Sequence, residues 1–237
     1  MRGLQWKRCL VYLDDIITIG HAFPRALENL QMVFERLRGA GLRLKPSKCE
    51  LFRKQVNFLG HVVSGEGVSC DPKKVEAVRD YTVPRSLTEL RAFLGFVGYY
   101  RRFIKGFATT AAPLNKLLQK EQKYDWGQDQ QVAFDNLREP LMKEPVMVYP
   151  DVGQPFILDT DASNFGIGGV LSQVHDGEER VIAYASHALR APQRNYCTTK
   201  RELLAVVAMI HHFRHYLWGV RFRIRTDHAS LKWLLNF

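Results

Sequence analysis

The sequence predicts a mixed α/β (α+β) fold, and three features of its 237 residues carry that prediction. Two short apolar runs bracket an acidic pair near the start. A helix-rich middle follows, punctuated by capping residues. From residue 156 onward come three strand-like stretches, a long amphipathic stretch and one more alternating stretch. Strand, strand, strand, helix, strand fits a mixed sheet with a helix packed on it.

Each element has a local cause. Residues 9–19 are two apolar runs around Asp14 and Asp15 and read as a β-hairpin with the aspartates at or near its tip. A helix is predicted after Pro24, where Leu27, Leu30, Phe34 and Leu37 recur on one face; Gly39 and Gly41 end it. Strand-like stretches follow at 49–53 and 56–63, and Gly65 and Gly67 mark a turn. Asp71-Pro72 reads as an N-cap with a first-turn proline. Ser86 and Glu89 have capping-box spacing ahead of a stripe of Leu87, Leu90, Leu94 and Val97. Residues 128–142 predict another helix, and Pro145 and Pro150 punctuate its exit. Strands are expected at 156–161, 167–174 and 181–186, with Asp176-Gly177 as a turn. A helix over 199–217 would open on a Thr199–Glu202 capping box and line Leu203, Val206, Val207, Ile210 and Leu217 along one side. The last strand, 220–226, alternates Val220, Phe222 and Ile224 with Arg221, Arg223 and Arg225.

Composition narrows the class. With 46% hydrophobic and 24% charged residues, the chain lacks the signature of disorder. No apolar run reaches the roughly 20 residues of a membrane span, and the N-terminal stretch lacks a signal peptide's apolar core. Cys9, Cys49, Cys70 and Cys197 are scattered, which argues against a metal knuckle or disulfide framework and for a reduced, intracellular setting. Residues 1–122 hold 21 Lys and Arg against 11 Asp and Glu, whereas residues 123–237 hold 13 of each. The whole net charge of +10 therefore lies in the first half. Such a half either faces a polyanion, through phosphate contacts that read no sequence, or is simply a soluble basic surface. Tyr99, Tyr100, Arg101, Arg102, Phe103 and Lys105 mix aromatics with cations and suit either backbone tracking or helix packing.

Two acidic constellations stand out. Strands disfavour Asp, and adjacent like charges repel, so Asp14 and Asp15 call for a cation. Carboxylate oxygens suit Mg²⁺, with Mn²⁺ as the alternative; an ordinary Asp-containing turn is the bland reading. Asp161 and Asp227 close two strands, and Glu202 lies at the start of the long helix on its buried side. At two strand ends and one helix start, the three could converge at one sheet edge. Singly, each has a structural role open to it as turn residue, capping-box partner or helix cap. Asp159 shares a strand face with Asp161. His211, His212 and His215 lack the glutamate of a zinc-protease helix and read as surface residues, while His228 reads as a packing or hydrogen-bonding residue.

Taken together, the motifs resemble the gypsy-type retrotransposon reverse transcriptase/ribonuclease H family. Tyr12-Leu13-Asp14-Asp15 is similar to the polymerase motif, Phe58-Leu59-Gly60-His61 to the primer grip, and the stretch from Phe93 to Ile104 to the thumb. Further on, the segments around Asp161, Glu202 and Asp227 resemble the ribonuclease H-like domain of that family. The resemblance implies a palm remainder over 1–64, a thumb over 65–122, a connection over 123–152 and a ribonuclease H-like domain over 153–237. It implies metal binding and catalysis by Asp14, Asp15, Asp161, Glu202 and Asp227. It implies nucleic-acid contact by Phe58, Leu59, Gly60, Arg101, Arg102 and Lys105. The implied partners are a primer–template, an RNA–DNA hybrid and the remainder of a Pol polyprotein, with no membrane. The implied compartment is the cytoplasm or a virus-like particle, with the nucleus as a further candidate. A noncatalytic nucleic-acid-binding remnant of the same ancestry, or a degenerate product that scarcely folds, are the competing readings.

In the family a third palm aspartate lies on an earlier strand and a fourth ribonuclease H carboxylate lies beyond a further helix. Neither falls within these 237 residues. The chain by itself is expected to show no templated primer extension with Mg²⁺ or Mn²⁺, and at best reduced hybrid cleavage. Robust synthesis in a primer-extension assay would refute the first expectation.

Overall fold

A computed structural model of the chain describes residues 3–143 and 145–231. The chain divides into two compact units, Met1–Gly65 and Glu66–Phe237.

In the first unit, β1 (Cys9–Tyr12) and β2 (Asp15–Thr18) pair antiparallel, with Tyr12 opposite Asp15. Leu13 and Asp14 make the connection, and Leu13 takes a positive φ of 51°. Helix α1 (Phe23–Gly39) carries its proline in the first turn, where a missing N–H costs nothing. Its buried residues are Asn29, Val33 and Leu37, packed with Leu4 and Cys9. The expected face is thus rotated, and Leu27 is 48% exposed. The cause is Asn29, whose amide donates to the Ile19 carbonyl (2.6 Å) while its oxygen accepts from Arg8 Nη1 (3.0 Å). A buried amide satisfied on both ends tethers the helix by that face.

Strands β3 (Gln55–Phe58) and β4 (His61–Ser64) form a second hairpin, with Phe58 opposite His61. Leu59 and Gly60 turn it at φ 50° and 69°, the two-residue geometry that matches strand twist. No strand forms at 49–53, contrary to expectation. A 3₁₀ turn at Pro46–Lys48 precedes that stretch, and Phe52 has φ 54°, incompatible with extended backbone.

In the second unit, β5 (Val68–Cys70) exchanges two backbone bonds of 2.9 Å with Met147. Helices α2 (Pro72–Arg79), α3 (Leu87–Tyr99), α4 (Phe107–Thr110), α5 (Ala112–Leu117) and α6 (Gln128–Met142) follow. Both expected caps form: Asp71 Oδ1 accepts from Lys73 N (3.0 Å) and Ser86 Oγ from Glu89 N (3.2 Å). Leu90, Phe93 and Val97 are the fully buried stripe of α3, with Leu94 packed beside them. The Phe93 and Phe134 rings lie 4.6 Å apart. Each such fully buried side chain stabilises the fold by about 1.5–3 kcal/mol.

A second core belongs to a sheet. It comprises β6 (Phe156–Ala162), β7 (Gly166–His175), β8 (Glu178–Ala188) and β9 (Phe222–Arg225), in the order β8-β7-β6-β9. Neighbours are antiparallel except β6 and β9, which run parallel. Between β8 and β9 the chain forms α7 (Ala191–Arg194), α8 (Thr198–His212) and α9 (Arg214–Leu217). The expected single helix is therefore broken at Phe213. The residues of α8 that bury are Glu202, Ala205 and Met209, while Val207 is 57% exposed. Met209 decides this orientation, because it packs on Gly169 of β7: a Cβ there would lie 2.7 Å from Met209 Cγ. Absence of a side chain at 169 lets α8 approach the sheet.

Gly169→Val should therefore overpack this contact and destabilise the fold by about 1–3 kcal/mol. A urea unfolding curve superimposable on wild type would contradict that.

Candidate metal centre

Strand pairing positions the acids. Across the parallel pair β6 and β9, Asp159 stands opposite Arg225. The aspartates at 161 and 227 each lie two residues beyond that pair, just past the end of the paired segment. Helix α8 supplies the third acid. It begins at Thr198, so Glu202 opens its second turn rather than lying in its first. One carboxylate oxygen from each of Asp161, Glu202 and Asp227 lies within 4.8 Å of the others. Asp161 and Asp227 are exposed and Glu202 is buried, at 4% exposure.

The expected Thr199–Glu202 capping box is absent, because Cys197 caps α8 without a side-chain bond. Thr199 Oγ1 instead meets His228 Nε2 at 2.9 Å. This bond joins the start of the helix to the residue after Asp227. Glu202 accepts from the Ala162 backbone N–H, yet its Oε2 is buried with no hydrogen-bond partner. Burial first, then the charges of Asp227 and Asp161, push the Glu202 carboxyl above its ordinary range; His228 and the Ala162 N–H oppose them. An orphaned buried oxygen beside two further hard oxygen donors is the environment a divalent cation satisfies.

Asp159 has a different fate. Arg225 binds it through two bonds, Nε to Oδ1 at 2.5 Å and Nη2 to Oδ2 at 2.6 Å. The same guanidinium reaches Glu179 at 2.9 and 2.6 Å, and Ser172 Oγ donates to Glu179 at 2.8 Å. Arg225 and Ser172 hold the Glu179 carboxyl below its usual range, and the two acids push Arg225 upward. Sequence reasoning named Arg225 only as an alternating residue. The matching spacings Asp159-x-Asp161 and Arg225-x-Asp227 were the available signal for its partnership.

The other candidates lie elsewhere. Asp14 and Asp15 are exposed at the first hairpin turn, and among the described residues no third metal-binding side chain joins them. Phe58, Leu59 and Gly60 form the end and turn of the second hairpin. Arg101 Nη2 donates to the Ser186 carbonyl at 2.5 Å and Arg102 Nη2 to the Ile182 carbonyl at 3.4 Å, so both side chains anchor on β8. Lys105 is exposed, Tyr100 is buried, and Tyr99 is largely exposed. His211, His212 and His215 are exposed. The sequence also suggests a helix over Leu231, Trp233 and Leu234; residues 229–231 take 3₁₀ geometry, and Trp233 and Leu234 lie outside the described residues. Among the described residues no helix is long and apolar enough to cross a membrane.

Comparison with known proteins adds a second line. A family model described as reverse transcriptase (RNA-dependent DNA polymerase) matches residues 2–63. Another, described as the RNase H-like domain found in reverse transcriptase, matches residues 126–224. The chain is 41% identical over 237 residues to the retrovirus-related Pol polyprotein from transposon 297 of Drosophila melanogaster, covering 100% of this chain and 22% of that one. It is 38% identical over 238 residues to the corresponding polyprotein from transposon gypsy of the same organism, covering 95% and 23%. The Tf2-3 transposon polyprotein of Schizosaccharomyces pombe is 34% identical over 223 residues, covering 93% and 17%. The chain thus spans about a fifth of the length of these relatives. Among solved structures, the foamy viral protease–reverse transcriptase dRH in complex with double-stranded DNA matches with a TM-score of 0.81 at 22% identity, covering 97% of this chain and 40% of that one. The foamy viral protease–reverse transcriptase in complex with RNA/DNA hybrid matches with 0.79 at 23% identity, covering 95% and 31%. At that identity the likeness establishes the fold.

The raised carboxyl of Glu202 has a consequence for stability. Its folded form holds a proton at pH values where the unfolded form has released one, so the stability contribution of this group falls as pH rises through the unfolded value. In metal-free buffer, Glu202→Gln should unfold at a higher temperature than wild type at pH 7–8. The difference should shrink toward pH 4. Equal melting temperatures across that range would contradict the electrostatic account.

Proposed function

Since the chain belongs to the Pol family of gypsy-type retrotransposons, we propose that Asp161, Glu202 and Asp227 hold divalent cations and that this region hydrolyses the RNA strand of RNA–DNA hybrids. The observation that carries the proposal is the buried, unpartnered Glu202 Oε2 among three convergent carboxylates. Mg²⁺, with Mn²⁺ as a substitute, fits such hard oxygen donors. When bound, such ions supply an activated water and charge stabilisation for the leaving 3′ oxygen.

The chain's own residues do the rest. The Ala162 N–H bonds the Glu202 carboxylate and leaves its buried Oε2 without a partner. Thr199 and His228 couple the helix start to the strand end that carries Asp227. Arg225 removes the charge of Asp159 from the neighbourhood, so cation attraction concentrates on Asp161. Arg101 and Arg102 each give one bond to a β8 carbonyl, and with Lys105 they offer their remaining donors to phosphates, apart from the buried Nε of Arg102. In the same reading Asp14 and Asp15 belong to the polymerase centre and Phe58, Leu59 and Gly60 contact the primer. The domain order is palm (1–64), thumb (65–122), connection (123–152) and ribonuclease H-like domain (153–237).

The test is Mg²⁺-dependent cleavage of the labelled RNA strand of a hybrid. Glu202→Gln should lower the rate by about 100-fold or more, several kcal/mol of transition-state stabilisation. Asp159→Asn should keep most of the rate, because Arg225 retains Glu179. Undiminished cleavage by Glu202→Gln would sink the proposal. A folded wild-type chain that binds the hybrid without cutting it would favour a purely binding role.

A further inference from the structure

The histidines near the end of α8 play no part in the acidic centre, and one of them has a partner across the fold. His212 is the last residue of α8. His187 lies on β8, opposite Ile167 of β7. Their two imidazole rings stand 5.4 Å apart at 66°. Ser186, the residue before His187, accepts from the Arg101 guanidinium at its carbonyl and from the Ala108 N–H at its Oγ (2.9 Å). The pair therefore sits where α8 ends and where the helical segment is fastened to the sheet.

The spacing matches a coordination geometry. Two imidazoles on one tetrahedral ion, with Zn–N bonds of about 2.0–2.1 Å, have ring centres about 5 Å apart. Here the rings meet edge to face. Both residues reach solvent, so rotation about χ2, a broad torsion, can turn one nitrogen of each toward a common point. Solvent access also lets an ion enter and water complete its shell. A ligating imidazole must be neutral. Partial withdrawal of the rings from water, and then the positive charge of neighbours including Arg101, hold both below the ordinary imidazole range. The Arg101 charge also opposes a bound cation. Against it stands the negative end of the α8 dipole, which lies at His212 and favours a cation there. Imidazole nitrogen suits Zn²⁺, Cu²⁺ and Ni²⁺, whereas Mg²⁺ prefers oxygen, so the pair and the acidic trio select different ions.

His211 and His215, four apart, look like the better pair in the sequence. The break between α8 and α9 falls between them, and His211 Nε2 already meets Arg214 Nη1 at 3.1 Å.

We propose that His187 and His212 form a binding site for a borderline transition-metal ion, Zn²⁺ first among them, which clamps the end of α8 to β8. The site shares no residue with the acidic centre and does not depend on hydrolysis.

The experiment is calorimetric titration of ZnCl₂ into the reduced 237-residue chain, in excess Mg²⁺ so that a hard ion competes for the acids. His187→Gln and His212→Gln should each weaken Zn²⁺ binding by about 10-fold or more, since even loss of an outer-shell partner costs that much. His211→Gln and Glu202→Gln should each retain the wild-type affinity. Equal affinity in wild type and both pair variants, or an equal fall in His211→Gln, overturns the proposal. So does a loss confined to Glu202→Gln, which would assign the ion to the acids. Zinc-edge X-ray absorption of the loaded wild-type chain decides the matter even where a variant folds poorly. Two imidazole ligands are expected, and an all-oxygen or sulfur-containing shell overturns the site.

Discussion

The parallel pairing of β6 with β9 is the constraint on which the acidic centre depends. Side chains two residues apart on a strand share a face. The pairing ends with Asp159 against Arg225, and two residues beyond it on each side Asp161 and Asp227 bring carboxylate oxygens within 4.8 Å of each other. One pair of positions carries opposite charges and closes an ion pair. The next carries like charges and repels. The first pair, extended to Glu179 and Ser172, spans all four strands of the sheet and supports the second. Parallel strands require a crossover connection, and here the crossover contains α8, which delivers Glu202 to the same edge.

That edge is built against local stability. Burial and two neighbouring carboxylates disfavour the charged form of Glu202, and one of its oxygens is left without a partner. Such an arrangement persists only because the surroundings over-determine it. Close packing of Met209 on Gly169 seats the helix, and the Thr199–His228 bond locks its first turn. Local disadvantage at a site held by strong packing elsewhere is the expected signature of function in a fold that is otherwise self-consistent.

Much of this was legible in the residues, and the failures have physical causes. The hairpin at 9–19, the Asp71 and Ser86 caps and the succession of three strands, helix and strand after residue 156 followed from alternation and capping chemistry, which act locally, whereas the stretch at 56–63, read as one strand, turns at Leu59 and Gly60 into two. The rotated face of α1 did not, because Asn29 buries through bonds to Ile19 and Arg8, and a polar residue carries no apolar signal. The buried face of α8 was misread for the same reason: a glycine on another strand, not the helix itself, selects Met209 over Val207. The acidic trio was located by motif, whereas its support by Arg225 and Ala162 depends on strand register, which alternation alone does not reveal. Residues 49–53 failed as a strand because Phe52 adopts a left-handed backbone that apolar composition does not announce.

The composition of β9 adds a consequence for folding. Arginines recur at 221, 223 and 225, with Val220, Phe222 and Ile224 between them. A slip of two residues would keep an arginine against Asp159 and preserve the face of every side chain. It would also displace Asp227 by about 6.6 Å, at roughly 3.3 Å per residue, and dismantle the centre. Charge pairing and hydrophobic alternation are thus degenerate between the productive register and its neighbour. A contact that marks one alignment is Thr199 with His228, just beyond the end of the strand. A bond that contributes modestly to stability thereby helps to fix the alignment that brings the three acids together.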